Sequence, residues 1–98
     1  MNGCRLQLEA EQELAEAAAY YEQQSLGLGN DFLQEVLSGM RLIAEAPERY
    51  PKHGKRTRRF LVNRFPYFII FTIHENRPTV VAVAHCRREP NYWRKRIS

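Results

Sequence analysis

The chain has 98 residues, 44% of them hydrophobic, with a net charge of +4 and two cysteines. That is one domain with apolar content enough for one real core, so the chain need not be disordered. No apolar run approaches the roughly 20 residues that span a bilayer. The N-terminus lacks a basic start, apolar stretch and cleavage site, so no signal peptide is expected.

Residues 3–8 (GCRLQL) alternate Cys4, Leu6 and Leu8 against Arg5 and Gln7, which predicts a short strand. From Glu9 the period becomes helical. Ala10, Leu14, Ala17, Ala18 and Tyr21 fall on one stripe, and Glu9, Glu11 and Glu13 crowd the first turns, where the helix dipole favours acids. The segment 25–30 breaks the helix with Gly27 and Gly29. A second helix is expected from Asp31 to Ala46, with Asn30 as N-cap, Pro47 as stop, and an apolar stripe of Phe32, Val36, Leu37, Met40, Ile43 and Ala44. Two helices so joined make an antiparallel hairpin.

Residues 48–57 hold Pro51 and Gly54 without an apolar period and read as a basic loop. Three strands follow, at 58–64, 67–74 and 79–86, with Phe65-Pro66 between the first two and a turn at Asn76-Arg77-Pro78. The second and third are apolar on both faces, so both faces need cover. The helical hairpin supplies one cover, and the C-terminal tail or a partner the other. The tail, 89–96, is expected to form a turn of helix at most. The order β-α-α-β-β-β defines an α+β two-layer fold, a helical hairpin on a small, mainly antiparallel sheet, in one domain over 1–98.

Charge divides the chain. Residues 1–48 carry two basic residues and nine acids, a net of −7, whereas 49–98 carry thirteen basic residues and two acids, a net of +11. A half this basic steers a polyanion or an acidic protein toward it, so the functional surface is expected in 49–98. Lys52, Lys55, Arg56, Arg58 and Arg59 exceed what solubility asks for and point to an anion-facing role. Arg64, Arg87, Arg88 and Trp93 complete the candidate target-binding set. Arg59 and Arg64 also suit solvated edge positions, His85 a hydrogen-bonded structural role, and Trp93 an anchor that packs the tail on the core.

The chain has no phosphate-binding Gly-rich loop, HExxH, nucleophile elbow or zinc-type cysteine pair, and His53, His74 and His85 show no metal spacing. No metal or cofactor is expected. Cys4 and Cys86 make no disulfide framework and suit a reducing cytoplasm as free thiols. One chemistry is open to the basic and aromatic residues. Arginines clamp phosphates, aromatics stack on bases, and a histidine or tyrosine moves a proton, which with a 2′-hydroxyl suffices for metal-free RNA cleavage. The same residues also suit a protein-binding surface; a basic nucleic-acid-binding module ranks last, because the chain offers no established nucleic-acid-reading fold.

Arg64-Phe65-Pro66-Tyr67, a hydrophobic strand, then residues 82–90 (AVAHCRREP) with Trp93 resemble the RelE/ParE family of bacterial toxins. Residues 13–22 (ELAEAAAYYE) resemble that family's first helix, Gly27-Leu28-Gly29 with Phe32 its inter-helix turn, and residues 43–47 (IAEAP) with Tyr50-Pro51 the exit of its second helix. The family's Thr or Ser followed by Pro at the first helix start is replaced here by Gln7-Leu8. The resemblance implies the toxin half of a type II toxin–antitoxin (plasmid-stabilisation-like) pair. It also implies a cognate antitoxin that wraps and neutralises the chain. The apolar sheet face, separately, leads us to expect a homodimer or a hetero-oligomer with that antitoxin. ParE-like members inhibit DNA gyrase by contact. RelE-like members cut mRNA on the ribosome, a role for which Arg59, His85, Arg88 and Tyr92 are the catalytic candidates here. The Phe-Pro-Tyr segment and the His-x-x-Arg-x-Pro ending look more like the ParE side.

Overall fold

The computed structural model describes residues 3–97. Helix α1 spans Leu8–Gln24 and α2 Leu28–Glu45. α1 buries Ala10, Leu14 and Ala17, as its period requires. Gln7 supplies no side-chain cap. Its main chain does the work instead: the Gln7 N–H donates to the Val80 carbonyl (3.0 Å) and its carbonyl accepts from the Glu11 N–H (2.9 Å), which fixes the joint between strand and helix.

α2 starts three residues earlier than the sequence predicts, and Asn30 lies inside its first turn instead of capping it. Gly27, at φ +87°, occupies the N-cap without a side-chain bond of its own. The cap comes from α1, where the Glu22 carboxylate accepts the N–H groups of Gly27 and Gly29, both at 2.9 Å. Two N–H groups at the helix start are thereby satisfied, with an anion at the positive end of the helix dipole. Gly29 is also a close-approach point, since a Cβ there would lie 2.5 Å from the Ala18 carbonyl oxygen.

The strands are β1 (Arg5–Leu6), β2 (Arg58–Leu61), β3 (Tyr67–His74) and β4 (Arg77–His85). They form one sheet in the order β1-β4-β3-β2, with β1 parallel to β4 and the other pairs antiparallel. The mainly antiparallel α+β fold is as expected, with shorter outer strands. β1 keeps only two of its six predicted residues because α1 begins at once. β2 stops at Leu61, where Val62 turns inward and Arg64 adopts φ +74°. The β3–β4 turn falls on Glu75 and Asn76, not on Asn76-Arg77-Pro78. Both residues have positive φ, the pairing that matches the twist of a two-residue hairpin, and this extends β4 to Arg77.

A register shift opposite Ile70 and Phe71 leaves Val81 as a bulge in β4. It divides the strand's apolar residues between the faces. Val80 and Val83 join Phe32, Val36, Ile43, Ile69 and Phe71 under the helices. Val81, Ala82 and Ala84 join Ile70 and Trp93 on the other side, with Phe68, Tyr92 and Ile97 packed around them. The chain's own tail therefore covers the second face. Its regular structure is a short 3₁₀ turn at Arg94–Arg96.

Gly29→Ala is expected to destabilise the fold by about 2 kcal/mol through overpacking against a backbone atom. Gly27→Ala has open space and costs only about 1 kcal/mol through its positive φ. Urea unfolding of the two variants checks that order.

Candidate functional site

The basic loop is a built turn. The Arg59 N–H donates to the Pro51 carbonyl (3.2 Å) and the His53 N–H to the Thr57 carbonyl (2.7 Å), so residues 51–53 fold back along the outer edge of β2. The buried Thr57 hydroxyl donates to the His53 carbonyl, and Gly54 turns the chain at φ +98°. The His53 ring packs 5.6 Å from Trp93, and burial together with the nearby Arg59 charge lowers its pKa.

The cations here differ in what holds them. Arg58 donates to the carbonyls of Glu48 (3.2 Å) and Tyr50 (2.7 Å), and Arg56 to that of Ile97 (3.3 Å). Arg59 lies 4.5 Å over the Phe68 ring. The Lys52 and Lys55 side chains are exposed, and among the described residues no acid pairs with them.

A second constellation forms where β4 ends. Glu13, on α1 and only 14% exposed at its side chain, points its carboxylate at the β4 edge. It accepts the Val83 N–H (2.9 Å), the Tyr92 hydroxyl (2.8 Å) and two guanidinium bonds from Arg96 (3.0 and 3.2 Å). Arg96 also donates to the Val81 carbonyl at 2.9 Å. Arg88 stands 4.0 Å from Glu13 and stacks 3.8 Å over Tyr92, whose other neighbour is Arg96 at 5.1 Å. Burial, then the bond to Glu13, pushes the Tyr92 hydroxyl far above the ordinary phenol range. The Nδ1 of His85 accepts the Arg87 N–H at 3.0 Å, and its ring meets Tyr67 edge-on. His85 and Arg88 line a shallow recess of about 190 Å³ with Tyr20 and Tyr67.

The predicted site residues thus fall into two groups. Lys52, Lys55, Arg56, Arg58 and Arg59 belong to the turn and β2. His85, Arg87, Arg88 and Tyr92 gather at the exit of β4. Among the described residues no hydrogen bond or ring contact joins Arg59 to the second group. Arg64 stands apart, 3.8 Å from Asp31 and over Phe65. Trp93, 5% exposed, takes the anchoring role and offers little surface to a target. Glu13 was not singled out as a functional residue. Its one signal was position, because it sits three residues after Ala10 and four before Ala17, beside the apolar stripe. Among the described residues no helix is long and apolar enough to cross a membrane, and no group of three or more His, Cys, Asp or Glu stands together to hold a metal.

Fold and site together define a small α+β domain with a rigid cationic turn and a tail pinned to the sheet by one carboxylate. Comparison with known proteins makes this specific. The family profile described as the ParE toxin of type II toxin-antitoxin system, parDE, matches residues 5–90. The chain belongs to this ParE toxin family. A solved structure of the chromosomal ParDE TA system from P. aeruginosa shares the fold with a TM-score of 0.70 at 13% identity, over 87% of this chain and 96% of that one. No curated protein matches.

Glu13→Ala strands Arg96 and the Val83 N–H, and an expected loss of about 3 kcal/mol follows from breaking a largely buried charge pair. Tyr92→Phe removes one bond and costs about 1 kcal/mol. Because Trp93 is the single tryptophan, its emission reports tail release: a red shift in Glu13→Ala under native conditions and none in Tyr92→Phe.

His53 sets a pH dependence. Its folded pKa lies below the ordinary value of 6.5, so its contribution to stability is fully present above 6.5 and is lost as pH falls through the folded value. Denaturant midpoints from pH 7.5 to 5 are expected to fall less steeply in His53→Gln than in the parent chain.

Proposed function

We propose that this toxin acts in the cytoplasm by binding DNA gyrase and blocking supercoiling without chemical turnover, and that a cognate antitoxin neutralises it. One observation carries the reading: the tyrosine suited to move a proton is engaged within the fold. The Tyr92 hydroxyl is held by Glu13 with its pKa far above the range a base needs, and a main-chain N–H on Nδ1 of His85 leaves that ring only its Nε2. Lys52 and Lys55, by contrast, have no ion-pair partner among the described residues and sit on a hydrogen-bonded turn, a surface suited to an acidic patch on a protein target. Membership of the ParE family supports the same reading. The antitoxin is read as bringing an acidic segment to the basic half, where charge complementarity speeds association and selects the partner.

The competing reading, a ribosome-dependent endoribonuclease using Arg59, His85, Arg88 and Tyr92, draws on the recess that His85 and Arg88 share.

With purified gyrase, supercoiling is expected to fall as the toxin nears equal molarity, and Lys52→Glu/Lys55→Glu to weaken inhibition about tenfold or more. Added antitoxin restores activity. Unaffected supercoiling with mRNA cleavage on ribosomes, lost in His85→Ala and Arg88→Ala, contradicts the proposal.

A further inference from the structure

The sheet carries, between the basic turn and the tail, an open groove of about 900 Å³, within the range of small-molecule sites. Its cations come from four parts of the chain: Arg5 of β1, Lys52, Lys55 and Arg56 of the turn, Arg58 of β2 and Arg96 of the tail. Against these six, Glu48 is the one acid in the lining, a net of +5 with His74 neutral.

Half of these cations are already positioned by the protein. Arg56, Arg58 and Arg96 each give some donors to carbonyls or to Glu13. A guanidinium has five N–H donors, so the two bonds of Arg58 and three of Arg96 set those forks in place, the one bond of Arg56 tethers its side chain, and all three keep donors for a ligand. Arg5, Lys52 and Lys55 have no side-chain bond or ion pair among the described residues. Glu48 in the lining and Glu13 at Arg96 offset only part of the cost of bringing so many like charges together, and a bound anion lowers the rest.

The floor decides the class of anion. It includes Thr72 and Thr79, opposite each other on β3 and β4. These present hydroxyls, and the lining holds no Phe, Tyr or Trp ring as a platform for a base. Trp93 is buried and Tyr92 lies between two guanidiniums, so neither serves as a platform. Thr79 also pairs with Arg5 of β1, so the strand beneath has neighbours on both sides and offers no free edge for an added peptide. What remains is recognition by charge and hydrogen bonds concentrated in one volume. We infer that this groove binds a compact polyphosphate ion, either free tripolyphosphate or the phosphate chain of a nucleoside triphosphate. Arginine forks and lysine ammonium groups are the donors such a chain takes.

This goes beyond target choice and is read by binding, so it stands or falls separately from gyrase inhibition. Calorimetry on the full chain in low-salt, metal-free buffer compares tripolyphosphate, ATP, orthophosphate and a poly-glutamate peptide. The expected result is one tripolyphosphate per chain, bound at least about tenfold more tightly than orthophosphate and weakened by added salt. Lys52→Gln/Lys55→Gln is expected to weaken it about tenfold, whereas Arg41→Gln/Arg94→Gln, the same charge removed outside the groove, changes it less than about twofold. ATP equal to tripolyphosphate assigns recognition to the phosphate chain, and tighter ATP adds a contact to the nucleoside. Both support the site. Binding no tighter than orthophosphate, equal weakening in the two double variants, or binding of poly-glutamate without tripolyphosphate overturns it. Unchanged unfolding midpoints in both double variants keep the comparison about binding.

Discussion

The Glu13 carboxylate is the constraint on which the rest of the molecule depends. β1 covers β4 for only two residues. Beyond that the edge of β4 presents the Val81 carbonyl and the Val83 N–H, and an unpaired strand edge invites pairing with another chain. Glu13 takes the N–H and Arg96 takes the carbonyl, while the two side chains bond each other. One acid from the helix layer thus joins sheet and tail. With the tail fixed, Trp93 closes the second apolar face and His53 packs on Trp93, which couples the basic turn to the same network.

The segregation of charge along the sequence becomes a division of labour in space. Several acids of the first half are spent internally: Glu13 on the strand edge, Glu22 on the start of α2, and Asp31 beside Arg64. The basic half divides differently. Arg58 and Arg96 are structural struts with spare donors, whereas Lys52 and Lys55 make no side-chain bond among the described residues. They sit on a turn held by main-chain bonds and the Thr57 hydroxyl, so a partner need not order it on binding. A family fold shared at 13% identity fits this logic, because what must persist is the pattern of burial and the few fixing contacts rather than the surface.

The sequence made the layers legible and left the joints obscure. Helical and alternating periods are properties of neighbours in the chain, so α1, α2, β3 and the order β-α-α-β-β-β could be read directly. The start of α2 could not, because its cap is Glu22 from the other helix and Asn30 looked like the local answer. The hairpin turn was misplaced because Glu75 carries no turn signature, and its positive φ comes from pairing geometry. At the site, the basic turn was visible as composition, but which of its cations were already bonded was not. Arg56 reaches a carbonyl 41 positions away and Tyr92 an acid 79 positions away. Such contacts leave no trace in local spacing, which is also why Glu13 passed for an ordinary helix-surface acid.

If the tail network is structural and the basic turn is the working surface, the cellular lesion follows from contact with a target and not from RNA cleavage. The most direct test is a pulse-label experiment in bacteria after induction of this chain alone, following DNA and protein synthesis through the first minutes. The account predicts that DNA synthesis halts first while protein synthesis continues. Arrest of protein synthesis ahead of DNA synthesis would contradict it and return His85, Arg88 and Tyr92 to the centre of the chemistry.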